Sequence, residues 1–147
     1  MKQYIDLADQ VIDKYCLEMG VKRNTLSQNR FTKTPGSKKL RRAENGISLS
    51  FMRQSLAHYL YKWLPLETRI VGKLVGYADH SMVSLYSRIV ENHFEVNDPY
   101  FMPYYTTLTK VADPMVANVG FERVSAYWFR SVDKKVVKIR SVRKFPV

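Results

Sequence analysis

The sequence predicts a mainly α-helical domain with a helix-turn-helix core and a C-terminal β-hairpin extension. Three observations predict it. Apolar residues recur at three- and four-residue steps in separate stretches between residues 3 and 94. Glycines and capping residues punctuate those stretches. Beyond residue 120 the composition turns β-branched and aromatic around a short polar turn. Of 147 residues 46% are apolar, while only six are Gly and six Pro. A chain of this kind suits one globular domain that buries roughly two thirds of its unfolded surface without metal or disulfide.

Residues 3–19 predict the first helix: Tyr4, Ala8, Val11, Ile12, Tyr15, Cys16 and Met19 share a stripe, and Gly20 is the stop. Cys16 on that stripe reads as a small core residue rather than a nucleophile. Residues 24–30 add a short helical turn with Leu26 inward, and the stretch from Thr32 to Lys39 reads as an exposed loop. The second helix runs from Leu49 to Trp63 with Ser48 or Ser50 as N-cap. Its stripe is Leu49, Met52, Leu56, Tyr59, Leu60 and Trp63, with Arg53, Gln54, His58 and Lys62 on the other side.

Pro65 suits the start of a third helix, whose apolar residues are Leu66, Ile70, Val71, Leu74 and Val75 and whose stop is Gly76. Asp79 is the N-cap expected for a fourth, with Met82 or Val83, Tyr86, Ile89, Val90 and His93 or Phe94 inward. Two short helices joined at Gly76-Tyr77-Ala78 form a helix-turn-helix arrangement. Residues 98–118 hold three prolines and the aromatic cluster Tyr100, Phe101, Tyr104 and Tyr105, and predict irregular chain over the helical core. Phe121–Val132 and Lys135–Val142 flank Asp133-Lys134 and predict the hairpin. The expected organisation is a helical unit over 1–97 and, packed on it, an irregular segment plus basic hairpin over 98–147.

Charge points to the partner. Lys and Arg total 24 against 13 Asp and Glu, a formal net charge of +11. An excess of this size suits an anionic partner, nucleic acid first among them. It is also patterned: residues 22–42 hold eight basic residues and no acid, residues 122–144 another eight, and residues 1–20 are net negative.

The segment Val71-Gly-Lys-Leu-Val-Gly-Tyr-Ala-Asp-His-Ser-Met-Val83 resembles the signature of the C-terminal DNA-binding domain (domain IV) of the bacterial replication initiator DnaA, a Trp-repressor-like helix-turn-helix. Val71, Gly72, Gly76, Asp79, His80, Ser81 and Val83 carry the match, and Arg53-Gln54 resembles the family's preceding Arg-Gln helix. The likeness covers about residues 5–95, with an apparent insertion near 31–46. Where the family has an Arg before Asp-His this chain has Ala78, and Met82 replaces a Thr, which changes the expected target sequence more than DNA binding itself. The resemblance implies double-stranded DNA as partner and Lys73, Tyr77, Asp79, His80, Ser81, Ser84 and Arg53 as binding residues.

The residues carry a physical argument of their own. An Asp79 cap satisfies free N–H groups and starts the fourth helix, so His80, Ser81 and Ser84 occupy its first turns, within reach of base edges or phosphates. The helix N-terminus adds partial positive charge. A bare cap with a solvated His80 is the plainer reading. Lys38, Lys39, Arg41 and Arg42 suit a Lys/Arg arm on the DNA backbone, or an ordinary solvated loop. On the hairpin, Lys138 and Arg140 share a face with Val136 and Val142, either toward a partner or toward solvent.

No G-x-x-x-x-G-K-[ST] loop occurs, so the sequence predicts no nucleotide site. His58, His80 and His93 have no second ligand at metal spacing, and His93 reads as a satisfied helix residue. The expectation is a non-catalytic protein with no cofactor, acting in replication initiation or transcription regulation. Its further partner would be a replication or virion protein, as suits a phage or mobile element. The acids near the N-terminus and the lack of an apolar span predict a cytoplasmic, nucleoid-associated protein with no membrane contact. The alternative is a structural or adaptor protein that reuses the helical core for protein contacts, motivated by the aromatic 98–105 segment and the changes at Ala78 and Met82.

Overall fold

The computed structural model describes residues 2–27, 42–76, 80–118, 122–125, 128–130 and 136–138. Among these the chain is mainly helical. It forms α1 (Lys2–Met19), α2 (Arg23–Ser27), α3 (Leu49–Trp63), α4 (Thr68–Val75), α5 (Ser81–Val96) and α6 (Met102–Asn118), then three short strands. No described helix is long and apolar enough to cross a membrane.

The apolar stripe of α1 buries Ala8, Val11, Ile12, Tyr15 and Cys16, and Gly20 closes the helix at φ +70°. Burial pushes the Cys16 thiol up to about 11, so it sits in the core as a thiol. Arg23 at the start of α2 reaches back to Asp9 at 2.6 Å and Asp13 at 2.7 Å on α1. One cation of the first basic segment is thereby neutralised within the fold.

Helix α3 is the hub, packing against α4, α5 and α6. Ser48 caps it, its hydroxyl oxygen accepting the Phe51 N–H at 3.2 Å. The polar side of α3 is buried as well: Arg53, Gln54, Ser55, His58 and Lys62 join the apolar stripe out of solvent. A helix surrounded on all sides hides both faces, and each polar group then needs an internal partner.

Helix α4 starts at Thr68 rather than at Pro65. Leu64 and Glu67 are extended, and both Leu64 and Leu66 are buried, so the chain first lays two leucines into the core. Gly76 ends α4 in the left-handed conformation at φ +95°, which relieves a side chain of the steric cost there. Helix α5 starts at Ser81, two residues after Asp79. The N-cap position falls on His80, whose backbone is already helical and whose side chain makes no cap hydrogen bond, rather than on Asp79, which lies outside the described residues.

The irregular chain expected over 98–118 is instead helix α6. Phe101, Tyr105, Leu108, Ala112 and Val116 are buried at helical spacing. Pro99 precedes the helix and Pro103 sits in its first turn, where no N–H is needed. Only Pro114 stands inside it. Tyr104 fastens α6 to its neighbours, its carbonyl accepting from the Tyr15 hydroxyl at 3.0 Å and its hydroxyl from the Ser48 N–H at 2.9 Å.

The two-strand hairpin is also corrected. The backbone forms β1 (Glu122–Ser125), β2 (Trp128–Arg130) and β3 (Val136–Lys138), antiparallel in the order β1-β2-β3. Ser125 pairs with Trp128 and Phe129 with Val137, so where the sequence predicts one strand over Phe121–Val132 the described residues form two. Strand β2 thereby has a pairing strand on each side for its backbone N–H and C=O groups. Asp133-Lys134, Arg140 and Val142 lie outside the described residues, as does the loop from Thr32 to Lys39.

Candidate nucleic-acid interface

The α4–α5 pair is built from the motif residues. Gly72 presents bare backbone to α5: a Cβ placed there would stand 3.5 Å from the His80 Cα and 3.6 Å from a Val83 methyl, ordinary contact distances. Val71, Val75, Val83 and Val90 close the inner side. The outer side of α5 is a continuous stripe: Ser81, Ser84, Leu85, Arg88 and Asn92 are all exposed. His80 is exposed just before it and borders a shallow cleft of about 300 Å³ with Tyr61, Glu67, Thr68 and Arg69.

The ring contacts made to α5 by α6 and by the residue before it lie toward the other end of α5. Phe94 stacks edge-on against Tyr105 at 4.9 Å between ring centroids, and His93 lies flat on Phe101 at 4.3 Å. His93 is also 3.0 Å from an Asp98 carboxylate oxygen and 3.3 Å from the Gln54 side-chain oxygen. It is the satisfied helix residue the sequence predicts.

Of the sequence-predicted residues, the structure brings His80, Ser81 and Ser84 together on the exposed start of α5, with Lys73 exposed on α4. Arg42 is exposed apart from them, where its guanidinium donates to the Gly46 carbonyl at 2.9 Å. Lys38, Lys39, Arg41, Tyr77 and Asp79 lie outside the described residues. Arg53 is corrected. It is only 3% exposed, and its Nε donates to the Leu26 carbonyl at 2.8 Å, so it fastens the end of α2 to α3 and has no free face for DNA.

Sequence reasoning missed Arg69, Leu85 and Arg88. Arg88 stands four residues after Ser84 and seven after Ser81, so helical spacing alone placed it on the same face. Arg69, Lys73 and Arg88 are exposed and make no hydrogen bond or ion pair among the described residues. The α4–α5 surface thus carries three cations left to solvent or to an anionic partner.

Behind this surface lies a buried polar cluster. Lys62 donates to Glu91 Oε1, and the same oxygen is 3.3 Å from His58 Nε2. The other ring nitrogen of His58 is 2.7 Å from the Tyr105 hydroxyl. Burial, then the Lys62 charge, hold His58 well below its ordinary pKa, so it is neutral; burial also lowers Lys62 to about 8. Among the described residues no three His, Cys, Asp or Glu side chains gather as a metal site. Compared with known protein families, with curated proteins and with solved structures, the chain matches none.

Proposed function

We propose that the chain is a non-catalytic double-stranded DNA-binding protein that lays the start of α5 in the major groove, with its basic loop on the DNA backbone. The reading includes a DnaA domain IV-like core, a role in replication initiation or transcription regulation, and nucleoid association. The observation that carries it is the exposed N-terminal half of α5: His80, Ser81, Ser84, Leu85 and Arg88 are exposed, as are the cations Arg69 and Lys73, which make no ion pair among the described residues. A groove-entering helix needs such an end, with short polar side chains at its first turns and cations to meet flanking phosphates. The net charge of +11 and the motif resemblance support the same partner. An adaptor that had given up DNA would be favoured by α6 lying over that end; instead α6 engages His93 and Phe94.

Selection of a preferred site from random duplexes, followed by fluorescence anisotropy at several salt concentrations, tests the proposal. His80→Ala is expected to lose about 1–3 kcal/mol on the preferred site and much less on random DNA. Arg42→Ala is expected to weaken all sequences alike and to lower the salt slope by about one. Affinity unmoved by salt, or identical uniform losses in both variants, would overturn it.

A further inference from the structure

A cleft of about 460 Å³ opens between the end of α3 and the middle of α5, with Tyr61 and Lys62 on one wall and Ser84, Ser87, Arg88 and Glu91 on the other. Its lining is mostly apolar, and its volume falls in the range of small-molecule sites, roughly 300–1,000 Å³. Asn92 lines it as well, and the side chains of Ser84, Ser87, Arg88 and Asn92 make no hydrogen bond or ion pair among the described residues; Ser87 and Arg88 set its chemistry. Ser87 is 8% exposed, and its Oγ is the one buried side-chain oxygen or nitrogen that lacks a hydrogen-bond partner among the described residues. Buried hydroxyls ordinarily hydrogen-bond within the fold, so this one is available to a polar group entering the cleft. Arg88, exposed beside it, has no ion-pair partner among the described residues, whereas Lys62 and Glu91 neutralise each other.

We propose that this cleft binds a small organic monocarboxylate. Its carboxylate accepts from the Arg88 guanidinium and the Ser87 hydroxyl, and its apolar body fills the space beside Tyr61. The charge and the lining decide the class together. A cation meets Arg88 unfavourably, and a neutral molecule forgoes the charge-assisted hydrogen bond that Arg88 offers. An inorganic anion leaves the apolar wall uncovered, and a carboxylate on a carbon frame satisfies all three features. The proposal stands on the α3–α5 cleft alone and does not require that the chain bind DNA.

Titration of the ¹⁵N-labelled full chain with benzoate, and with its neutral isostere benzamide, tests it. Benzoate is expected to give saturable shifts at the amides of Tyr61, Ser84, Ser87 and Arg88, with benzamide roughly tenfold weaker, as a charge-assisted bond implies. Arg88→Gln, at an exposed position, should bring benzoate down to the benzamide level. Ser87→Ala removes a hydroxyl with no hydrogen-bond partner among the described residues and should weaken both ligands roughly two- to tenfold. Equal affinity for the two ligands, shifts that do not saturate, or shifts centred outside the cleft would each overturn the proposal. So would an Arg88→Gln variant that still prefers benzoate.

Discussion

Replacing Glu91 by Gln should destabilise the fold through a single atom. Glu91 Oε1 accepts from Lys62, which is 2% exposed, and faces the fully buried His58. Removing one partner of a buried ion pair typically costs about 3–5 kcal/mol, because the other charge is stranded. Here the loss has a ceiling. Burial already lowers Lys62 to about 8, and without Glu91 its pKa falls further, so the ammonium can shed its proton near neutrality. A loss of about 2–4 kcal/mol at pH 7 follows. The pH dependence has a definite sign. The charged pair contributes only while Lys62 is protonated, so above about 8 its contribution fades, and the Glu91→Gln loss at pH 9 should be about 1 kcal/mol smaller than at pH 7. Adding Lys62→Met removes the stranded charge. The double variant should therefore be at least about 1 kcal/mol more stable at pH 7 than Glu91→Gln alone. Urea unfolding followed by tryptophan fluorescence reads all three quantities. Additive losses in the double variant, or a Glu91→Gln loss that does not change between pH 7 and 9, would refute the coupling.

Three further outcomes are expected. His58 stays neutral in the fold, whereas the unfolded chain takes up its proton near about 6.5; stability should fall as pH drops from about 6.5 to 5, by up to about 1.4 kcal/mol per unit, and His58→Gln should flatten that slope in urea midpoints. Pro114 is exposed inside α6 and withholds one helical hydrogen bond, so Pro114→Ala should raise stability by about 1–2 kcal/mol in thermal or urea unfolding; a loss would show that the proline shapes the helix end. Arg53→Met should cost about 1.5–3 kcal/mol of stability by freeing the Leu26 carbonyl while leaving the salt slope of DNA binding unchanged, and a slope reduced by one would restore Arg53 to the interface.

What the sequence disclosed was local. The limits of α3 and the stops at Gly20 and Gly76 were legible because spacing, caps and left-handed glycines are set within a turn or two of chain. Helix α6 was hidden although Phe101, Tyr105, Leu108, Ala112 and Val116 keep helical spacing. Three prolines dominated the reading, yet two of them occupy positions that a helix tolerates. The burial of His58 and Lys62 could not be read from α3, because their partners Glu91 and Tyr105 arrive from α5 and α6. Of the candidate interface, the start of α5 was legible through its motif. Arg53 was misplaced because its true acceptor is a carbonyl, which no side-chain pattern reveals.

The two ends of α5 are held by different means, and this bears on how any variant there should be interpreted. Toward its C-terminus, Glu91, His93 and Phe94 are tied to α3, to Asp98 and to the aromatic side chains of Phe101 and Tyr105, so the helix axis is fixed at that end. Nearer the N-terminus the anchors are apolar: Val83 and Val90 are fully buried. The residues between those anchors, Ser84, Leu85 and Arg88, face outward and add little to the core. A helix braced in this way presents its first turns as a rigid projection without spending stability on them. Substitutions at the exposed Ser84 or Arg88 should therefore leave the folding energy held at Glu91 and His93 largely intact.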